Sequence, residues 1–595
     1  MALTPLPNNT EAHIISLILS SKGGATMTGF PSVDQPWLKY YSKNAPEARD
    51  PNCSMFDYLQ KCNQNQHDSI ALDYFGKKIT YGKLFEEIDR TAVALQQFGV
   101  KQGDIVSVCP LNTPEFIFLL YAINKIGAVS NWMGLTSPIQ DLHDQLTTTN
   151  SRIVFTVSIA YEQIEKAAEK STVEKIITVP LEFSMPTPLK LAVGYKNRHL
   201  NKKGIPWKDF IKAGEGNITS VDIIPDNMAL IEYTGGSTGV PKGVMLSNKA
   251  MNSYYVNFLK VNQCGITSFS KNDRVLFGVP LFLAFGASSC CHGPLCHTLV
   301  LVLAPDPSPE AGTKLILKKK INQILTGRLL IEDLVESTQK TNNDLSFIRS
   351  IMYGGEETNK VWEKSITEKL RDRNANIPLL NGYGMTETSA AILLAPDNET
   401  DGLIPLGNVN VKVVNPDDES QEYGYDTEGE LCLSAETLMN GYYKNEKETS
   451  DVIFERDGVR WLKTHDLATI SRDGIIKITG RIKRIYSRLT SDKIQVRVYP
   501  MRIEETLISN KLVHECAVVG IKDTILAYRS VAFIVLSDKT AIAENAQKQI
   551  EVYAHEHLPD SHWPDEYVFI EKMPITRAGK VDYRALEKEA QGLHS

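Results

Sequence analysis

A loop rich in glycine and hydroxyl residues, with one lysine, lies near the middle of the chain. It follows an apolar run at Met228–Tyr233 that suits a buried strand, and a second apolar run starts at Val244. The loop contains, in order, Thr234, Gly235, Gly236, Ser237, Thr238, Gly239 and Lys242. Backbone N–H groups and hydroxyls in such a loop can bind phosphate oxygens, and the lysine adds positive charge. We therefore predict a phosphate site, with a plain surface loop as the alternative. It is not a Walker A site, because no Gly-Lys-Ser/Thr triplet occurs in the chain.

Two further clusters of glycine and polar residues stand downstream. The first, YGGE, contains Gly355 and Glu356 and follows a strand-like run at 348–352. The second, NGYGMTET, contains Asn381, Gly382, Tyr383, Gly384, Thr386 and Glu387. Glycines would let backbone lie close against a planar ligand, and the tyrosine offers a face for stacking. The threonine offers a hydroxyl for a phosphate, and the glutamate offers a hard oxygen for Mg²⁺.

An aspartate and a lysine could complete a nucleotide site. Asp466, in the run Thr-His-Asp, could accept hydrogen bonds from both ribose hydroxyls. Lys580 follows a glycine turn near the end of the chain and could reach into another domain. Taken alone, each cluster is more often a plain turn, and a lysine is usually solvated at the surface.

The run CCHGPLCH, residues 290–297, could ligate zinc or belong to a buried segment. Its spacing lacks the paired Cys-x₂-Cys or His-x₃-His pattern of zinc sites, and its flanks are apolar. We favour the buried segment, in which cysteine acts as a small hydrophobic residue.

The composition is that of an ordinary globular protein. With Lys+Arg 64 and Asp+Glu 71 the net charge is −7, which argues against nucleic acid as the main partner. We find neither a persuasive signal peptide nor an apolar run of transmembrane length. The nine cysteines form no disulfide framework, so we expect a cytoplasmic protein.

Strands alternate with helices from Ile70 onward, which indicates a mostly parallel α/β sheet. The pattern predicts a hairpin over 70–80, a helix over 84–99, a strand over 105–109 and a helix from Pro114 with Thr113 as its cap. Further strands are predicted at 152–157 and 175–179, and 186–204 is interpreted as a basic, loop-rich insertion. Residues 1–65 are expected to be an extension that packs on the main body. A polar stretch after Gly480 favours a linker, and the last residues, about 110, fit a small α+β domain.

The clusters together resemble the adenylate-forming superfamily of acyl-CoA synthetases, nonribosomal peptide adenylation domains and luciferases. The runs that carry the resemblance are YTGGSTGVPKG, YGGE, NGYGMTET, GELCL, MNGYY, KTHD, GRIK and PITRAGKVD, from about Ile70 to the C-terminus. The resemblance implies an α/β fold with a large N-terminal domain of parallel and mixed sheets (66–482) and a small mobile α+β C-terminal domain (483–595). In the family a carboxylate attacks the α-phosphorus of ATP, and a thiol then takes the acyl group from acyl-AMP.

The resemblance also implies a role for each matching residue. Thr234, Ser237, Thr238 and Lys242 would hold the β- and γ-phosphates, with the loop glycines around them. Gly355 and Glu356 would line the adenine and acyl pocket, and Tyr383 would stack on adenine. Asn381, Gly382 and Gly384 would bind the nucleotide, and Gly384 would also line the substrate pocket. Thr386 would touch the α-phosphate, Glu387 would bind Mg²⁺, Asp466 and Arg481 would hold the ribose, and Lys483 would be the hinge. Lys580 would bridge the carboxylate and the α-phosphate, where charge builds in the transition state.

Three departures from the family pattern stand out. His465 replaces the glycine of Thr-Gly-Asp, Leu283 replaces the histidine of PLFH, and the segment 487–500 lacks a glycine loop and looks lengthened. In the family this last segment approaches the pantetheine thiol, so it bears on the identity of the acceptor.

We predict an ATP- and Mg²⁺-dependent ligase that activates an acyl or aryl carboxylate and transfers it to a thiol, most simply CoA. Phe282, Leu283 and Phe285 would line an apolar pocket, and the absence of an acid from 279–287 disfavours α-amino acids. One alternative is a protein that loads a phosphopantetheine carrier protein, and another is a non-catalytic adenylate-binding protein. The chain is expected to act as a monomer or homodimer.

Overall fold

The computed structural model describes most of the chain. The described ranges are 27–41, 49–200, 203–234, 241–262, 269–355, 360–397, 399–489, 495–523, 525–537, 543–576 and 580–593. The predicted site residues Gly235, Gly236, Ser237, Thr238, Gly239 and Glu356 lie outside these ranges.

The strands of the described part are these: β1 Ile70–Tyr74, β2 Lys77–Thr80, β3 Ile105–Cys109, β4 Val129–Trp132, β5 Ile153–Val157, β6 Lys175–Val179, β7 Ile205–Pro206, β8 Met228–Tyr233, β9 Gly243–Ser247, β10 Arg274–Phe277, β11 Val300–Leu303, β12 Gln323–Thr326, β13 Ser350–Gly354, β14 Leu379–Met385, β15 Ala390–Leu394, β16 Ile404–Pro405, β17 Asn410–Asn415, β18 Asp418–Glu422, β19 Gly429–Ser434, β20 Gly441–Tyr442, β21 Ile453–Arg456, β22 Val459–Ile470, β23 Ile476–Arg481, β24 Tyr486–Leu489, β25 Gln495–Val498, β26 Val513–Asp523, β27 Ala527–Leu536 and β28 Glu566–Phe569.

The α-helices are these: α1 Pro31–Asp34, α2 Met55–Cys62, α3 Tyr81–Gln97, α4 Pro114–Lys125, α5 Ile139–Thr149, α6 Tyr161–Ala168, α7 Thr187–Lys196, α8 Trp207–Lys212, α9 Asn248–Asn262, α10 Gly293–Cys296, α11 Pro309–Lys319, α12 Arg328–Thr341, α13 Lys360–Arg371, α14 Glu446–Val452, α15 Pro500–Ile508, α16 Ala543–His557 and α17 Tyr583–Gly592. A π-helix spans Phe285–His292, and 3₁₀ helices span Pro36–Tyr40, Ser158–Ala160, Thr386–Thr388, Ile482–Arg484 and Asp560–His562.

Two large, mostly parallel sheets form the body of the N-terminal part. The first sheet has the order β16-β15-β14-β13-β12-β10-β11-β1-β2, and the second has the order β20-β9-β8-β4-β3-β5-β6-β7. The central pairs are parallel in both sheets, and antiparallel strands lie at both edges of the first sheet and at the β20 edge of the second. One continuous apolar core lies between the sheets, and smaller cores cover their outer faces. The predicted fold class, α/β with parallel and mixed sheets, is confirmed.

A third, antiparallel sheet follows, in the order β18-β17-β19-β22-β21, with β23 paired to β22. A turn at 473–474 joins β22 and β23, and Gly474 has φ +83°. The small C-terminal part is built on β26, β27 and β28, with helices on both faces. Within the described ranges, no helix combines the length and apolar character needed to cross a bilayer.

Local signals place several of these elements. The hydroxyl of Thr80 accepts a hydrogen bond from the backbone N–H of Lys83 and caps α3, whose Leu84 and Ile88 are buried. Thr113 occupies the N-cap position of α4 as predicted. Its hydroxyl, however, donates to the Glu115 carboxylate (2.7 Å) instead of accepting from the backbone.

One expectation about local structure was wrong. Residues 187–196 form helix α7 within the segment interpreted as loop-rich. The run NGYGM forms the last five residues of β14.

Candidate active site

The carboxyl ends of the two large sheets are tied together by one asparagine. Asn112, just beyond β3, donates hydrogen bonds to the carbonyls of Phe277 (3.1 Å) and Val279 (2.9 Å) at the end of β10. The backbone N–H of Leu281 donates to its side-chain oxygen (3.2 Å). Ligands of open α/β sheets bind at this edge, so it is where a site is expected.

The predicted phosphate loop leaves this edge between β8 and β9. Its base is closed by two hydrogen bonds: the N–H of Thr234 donates to the carbonyl of Lys242 (3.0 Å), and the N–H of Lys242 donates to the Thr234 hydroxyl (3.2 Å). These two bonds hold Thr234 and Lys242, at the two ends of the loop, next to each other.

The Lys242 side chain lies among groups from distant parts of the chain. Its ammonium donates to Glu448 of α14 (2.6 Å) and lies 4.5 Å from the centre of the Tyr442 ring. The hydrogen bond from Lys242 lowers the pKa of the Glu448 carboxyl. The Tyr442 hydroxyl donates to Glu387 (2.8 Å), and burial together with that carboxylate raises the pKa of Tyr442. One network thus joins the predicted phosphate lysine to the predicted magnesium carboxylate.

The Glu387 carboxylate is the type of group that binds Mg²⁺ in proteins. Glu387 lies half-buried in the 3₁₀ helix Thr386–Thr388, and its carbonyl accepts from the N–H of Met439 (2.8 Å), which fixes its backbone. Mg²⁺ keeps several waters and takes few protein carboxylates plus substrate phosphate, so a single carboxylate beside the phosphate lysine is compatible with it.

Tyr383, Asp466 and Arg481 meet across two sheets. The Tyr383 hydroxyl donates to one oxygen of Asp466 (2.5 Å), and Nε of Arg481 donates to the other (2.7 Å). Asp466 and Arg481 are register partners on β22 and β23, which explains their approach. Burial and the adjacent carboxylate raise the pKa of Tyr383 well above its usual value. Each carboxylate oxygen can still accept a further hydrogen bond, as two ribose hydroxyls would require.

The glycines of the clusters serve two different purposes. A Cβ on Gly384 would lie 2.0 Å from the Ala390 carbonyl, and one on Gly354 would lie 2.3 Å from the Gly382 carbonyl. These two are required by the packing of the protein's own backbone. Gly355 has φ +88°, is exposed, and has no described atom near its missing Cβ, so this position leaves room for a ligand.

The predicted acyl-pocket residues Phe282, Leu283 and Phe285 lie half-buried before and at the start of the π-helix. Gly286 lets this turn close, because a Cβ there would lie 2.0 Å from the Pro280 carbonyl. The segment is tied to Asn112 at the sheet edge, as described above.

The rest of the π-helix carries the cysteine and histidine run into the core. Both nitrogens of His292 are used by protein groups: Nδ1 accepts from the Tyr121 hydroxyl (3.0 Å), and Nε2 donates to the Asn252 side-chain carbonyl (3.0 Å). Burial lowers the pKa of His292 to about 3. Cys290 and Cys291 are fully buried, and burial raises the pKa of both thiols. These groups act as members of the core.

The predicted hinge and lysine lie in the C-terminal part. Lys483 is in the 3₁₀ helix Ile482–Arg484, whose Arg484 is paired with Glu504 and lies 3.7 Å from the centre of the Tyr583 ring. Lys580 is exposed, and its turn is closed by the N–H of Thr576 donating to the Lys580 carbonyl (2.6 Å). The roles given to both lysines stay predictions.

Two family models match the chain. Residues 59–443 match the AMP-binding enzyme model, and residues 502–580 match the AMP-binding enzyme C-terminal domain. The chain belongs to the AMP-binding enzyme family. The predicted adenylate-forming superfamily is thereby confirmed.

Curated relatives of this AMP-binding enzyme span nearly its whole length. A long-chain-fatty-acid–CoA ligase of Bacillus subtilis (strain 168) is 24% identical over 585 residues, which cover 94% of this chain and 99% of the relative. The 4-coumarate–CoA ligase 3 of Oryza sativa subsp. japonica is 26% identical over 518 residues, which cover 85% and 86%. The predicted enzyme class, an AMP-forming acid–thiol ligase, is confirmed.

Solved structures show the same fold at lower identity. The anthranilate CoA ligase AuaEII in complex with anthranoyl-AMP aligns with TM-score 0.76 and 20% identity, covering 91% of this chain and 98% of its own. ATP-bound MatB from Rhodopseudomonas palustris aligns with TM-score 0.77 and 20% identity, covering 91% and 100%.

Three residues near the site of this AMP-binding enzyme were missed by the sequence analysis. Tyr442 stood within the quoted run MNGYY, but nothing indicated its bond to Glu387. Glu448 has no motif, and its bond to Lys242 spans 206 positions. Glu430 is buried, accepts a hydrogen bond from the backbone N–H of His465 (3.0 Å), and lies 3.0 Å from Nδ1 of the same residue. His465 has φ +58°, the left-handed conformation in which glycine is usual, so Glu430 holds this departure in place.

Proposed function

We propose that this enzyme joins an apolar acyl or aryl carboxylate to CoA through an acyl-adenylate. The observation that carries the proposal is the Tyr383–Asp466–Arg481 network, which fixes an aromatic ring and a carboxylate at one place. An adenosine needs both groups, a face for its base and acceptors for its ribose hydroxyls. Glu387, Tyr442 and Lys242 continue from this place toward the phosphate loop.

The first step forms a bond between a carboxylate oxygen of the acid and the α-phosphorus of ATP, and pyrophosphate leaves. Lys242 would exchange Glu448 for β- and γ-phosphate oxygens, and Thr386 would contact the α-phosphate. Mg²⁺, held by Glu387, would supply positive charge to the phosphates when bound. Lys580 would lie between the two anionic reactants and stabilise the charge that builds at the α-phosphorus.

The second step breaks the bond between the acyl carbon and the oxygen that bridges it to phosphorus. The CoA sulfur attacks the acyl carbonyl carbon, the thiol proton is lost, and AMP leaves with the oxygen that bound the phosphorus. CoA as acceptor is supported by the relatives, which are named as CoA ligases.

The substrate class follows from the pocket segment. Phe282, Leu283 and Phe285 are apolar, and none of the residues 279–287 is acidic, so the segment offers no partner for an α-amine. The relatives are named for long-chain fatty acids and 4-coumarate, which share an apolar body and a carboxylate.

A carrier protein as acceptor is favoured by one feature only. In the segment 487–500, β24 and β25 pair in an antiparallel hairpin without any glycine, and this pairing differs from the glycine loop of the resembled family. A phosphopantetheine thiol on a carrier would then take the place of CoA.

The test is pyrophosphate release with ATP and Mg²⁺ across a panel of straight-chain and aromatic acids, each with and without CoA. Turnover that depends on one acid class and is accelerated at least about tenfold by CoA is the expected result. Acid-dependent release that CoA leaves unchanged would favour the carrier protein. Failure of every acid to release pyrophosphate would contradict the proposal.

A further inference from the structure

Helix α7, Thr187–Lys196, has no buried residue. It lies between β6 and β7 at the end of the second sheet, and its sequence is TPLKLAVGYK. Most of its residues are apolar, and a helix of a globular protein normally buries such residues against the core. In this one only Val193 packs, half-buried, against the core, and the other apolar side chains face solvent.

Two large apolar side chains are the most exposed part of the helix. Leu191 is 69% exposed and Tyr195 is 72% exposed, and their spacing of four residues places them on one face. Leu189 is 36% exposed, and Pro188 and Ala192 are also exposed. Single exposed hydrophobic residues are ordinary, but a contiguous set on one short helix marks an interaction surface.

The same segment is strongly basic. Residues 187–204 contain Lys190, Lys196, Arg198, Lys202 and Lys203 and no aspartate or glutamate. Lys203 is paired with Glu162, and the Lys190 ammonium donates to the Phe183 carbonyl (2.7 Å). The Arg198 guanidinium lies 4.7 Å from the centre of the Tyr195 ring. The apolar face is therefore bordered by cations in a protein whose net charge is −7.

We propose that helix α7 docks on an anionic lipid surface, with Leu191 and Tyr195 at the boundary between headgroups and acyl chains. Exposed leucine and tyrosine with lysine and arginine beside them is the pattern of helices that lie in the plane of a membrane interface. The basic side chains would bind lipid phosphates, each adding to the attraction. A second copy of the chain fits this surface less well. In a symmetric contact the cations Lys196 and Arg198 of one copy would face the same cations of the other.

The chain enters the docking helix from the edge of the second sheet at which the phosphate loop begins. Strands β3, β4, β5, β6 and β8 are linked by parallel pairing, so the chain leaves β6 toward α7 at the edge where it leaves β8 toward Thr234. Docking would therefore hold the loop edge of this sheet near the lipid. This inference does not depend on the proposed acid or acceptor.

The test is co-sedimentation of the full chain with vesicles of phosphatidylcholine alone and of phosphatidylcholine mixed with phosphatidylserine. The wild type is expected to bind the mixed vesicles and to be released by high salt. The variant L191D/Y195D is expected to bind at least about tenfold more weakly, because it loses the apolar insertion. The variant K196E/R198E should bind the mixed vesicles more weakly and the neutral vesicles no differently.

Matched controls separate this helix from the rest of the surface. V552D changes a residue that is 56% exposed on α16, and it should leave vesicle binding unchanged. Because all altered side chains are exposed, each variant should keep the wild-type thermal unfolding midpoint. Absence of wild-type binding to the mixed vesicles, or equal binding by L191D/Y195D, would overturn the proposal. Self-association of the wild type without vesicles that L191D/Y195D abolishes would make the surface a contact between copies and would also overturn it.

Discussion

At the scale of single residues, Glu448 and Lys242 form an ion pair that a nucleotide bound as proposed would have to replace. The pair is half-exposed, so it contributes little to stability, but it occupies the cation that the β- and γ-phosphates would bind. Removing the competing carboxylate should therefore strengthen ATP binding.

We expect E448Q to lower the KM for ATP about threefold with kcat nearly unchanged. The measurement is initial-rate pyrophosphate release over a range of ATP concentrations. E446Q alters an exposed carboxylate on the same helix and should leave KM at the wild-type value. A raised KM in E448Q would mean that Glu448 positions Lys242 for the phosphates and does not compete with them.

The carboxyl group of Glu232 on β8 is buried. Among the residues that the structure describes, neither of its oxygens has a hydrogen-bond partner. Burial raises its pKa to about 8 from an ordinary value of 4.5. Between these values the folded protein holds a proton that the unfolded chain releases, so the free energy of unfolding falls as the pH rises through this window.

We expect E232Q to be more stable than the wild type at pH 8.5, by about 2 to 4 kcal/mol, and the difference to shrink toward zero near pH 4.5. Urea unfolding across this pH range measures it, with E215Q, an exposed site, as control. A difference that stays constant with pH would exclude titration of Glu232 as its origin.

At the scale of elements, the segment 27–41 is fixed to the third sheet. Trp37 is 1% exposed, and its backbone lies so close to Gly474 that a Cβ there would approach the Trp37 nitrogen to 2.5 Å. Asp34 accepts from the Tyr425 hydroxyl (2.8 Å). These contacts pack the segment 27–41 against the body of the protein.

We expect W37A to lower the free energy of unfolding by about 3 to 5 kcal/mol, because it empties a large buried site. F30A, in the same segment but 42% exposed, should cost less than about 1 kcal/mol. Chemical unfolding of both variants provides the comparison, and equal losses would mean that Trp37 does not anchor the segment.

The sequence predicted strands and helices well where the buried side of an element produces a regular spacing of apolar residues. Strand β3 was predicted with its observed bounds, and helix α3 was predicted from the spacing of its apolar residues, because in both the buried side determines which residues are apolar. Helix α7 was missed for the converse reason: most of its apolar residues face solvent, so no amphipathic pattern marks it. The position of Asp466 within β22, paired with Arg481, could not be read from the run Thr-His-Asp, because it depends on the register of two strands.

At the scale of the whole molecule, the C-terminal part is joined to the third sheet by ion pairs. Arg502 of α15 donates to Glu428 (2.6 Å), and Arg497 of β25 lies 3.7 Å from Asp417. Lys580 belongs to this part, so its predicted role requires that it reach the edge of the large sheets from another domain. The motif around Lys580 is the basis for predicting a role for this residue in the reaction. No local sequence pattern, however, predicts how two domains are arranged.

We expect K580A to lower the rate of adenylation at least about a hundredfold while the thermal unfolding midpoint stays unchanged, because the cation acts on charge that develops in the transition state. K588A, on the exposed side of α17, is the matched control and should keep the wild-type rate. An adenylation rate in K580A equal to that of the wild type would remove Lys580 from the reaction.

The most direct measurement of the central claim is a single-turnover reaction of enzyme in excess over an accepted acid, with ATP and Mg²⁺, quenched and analysed by mass spectrometry. The account predicts that acyl-AMP and pyrophosphate form together before CoA is added, and that CoA then converts acyl-AMP into acyl-CoA and AMP. Formation of acyl-CoA with ADP and phosphate, without acyl-AMP at any time, would contradict it.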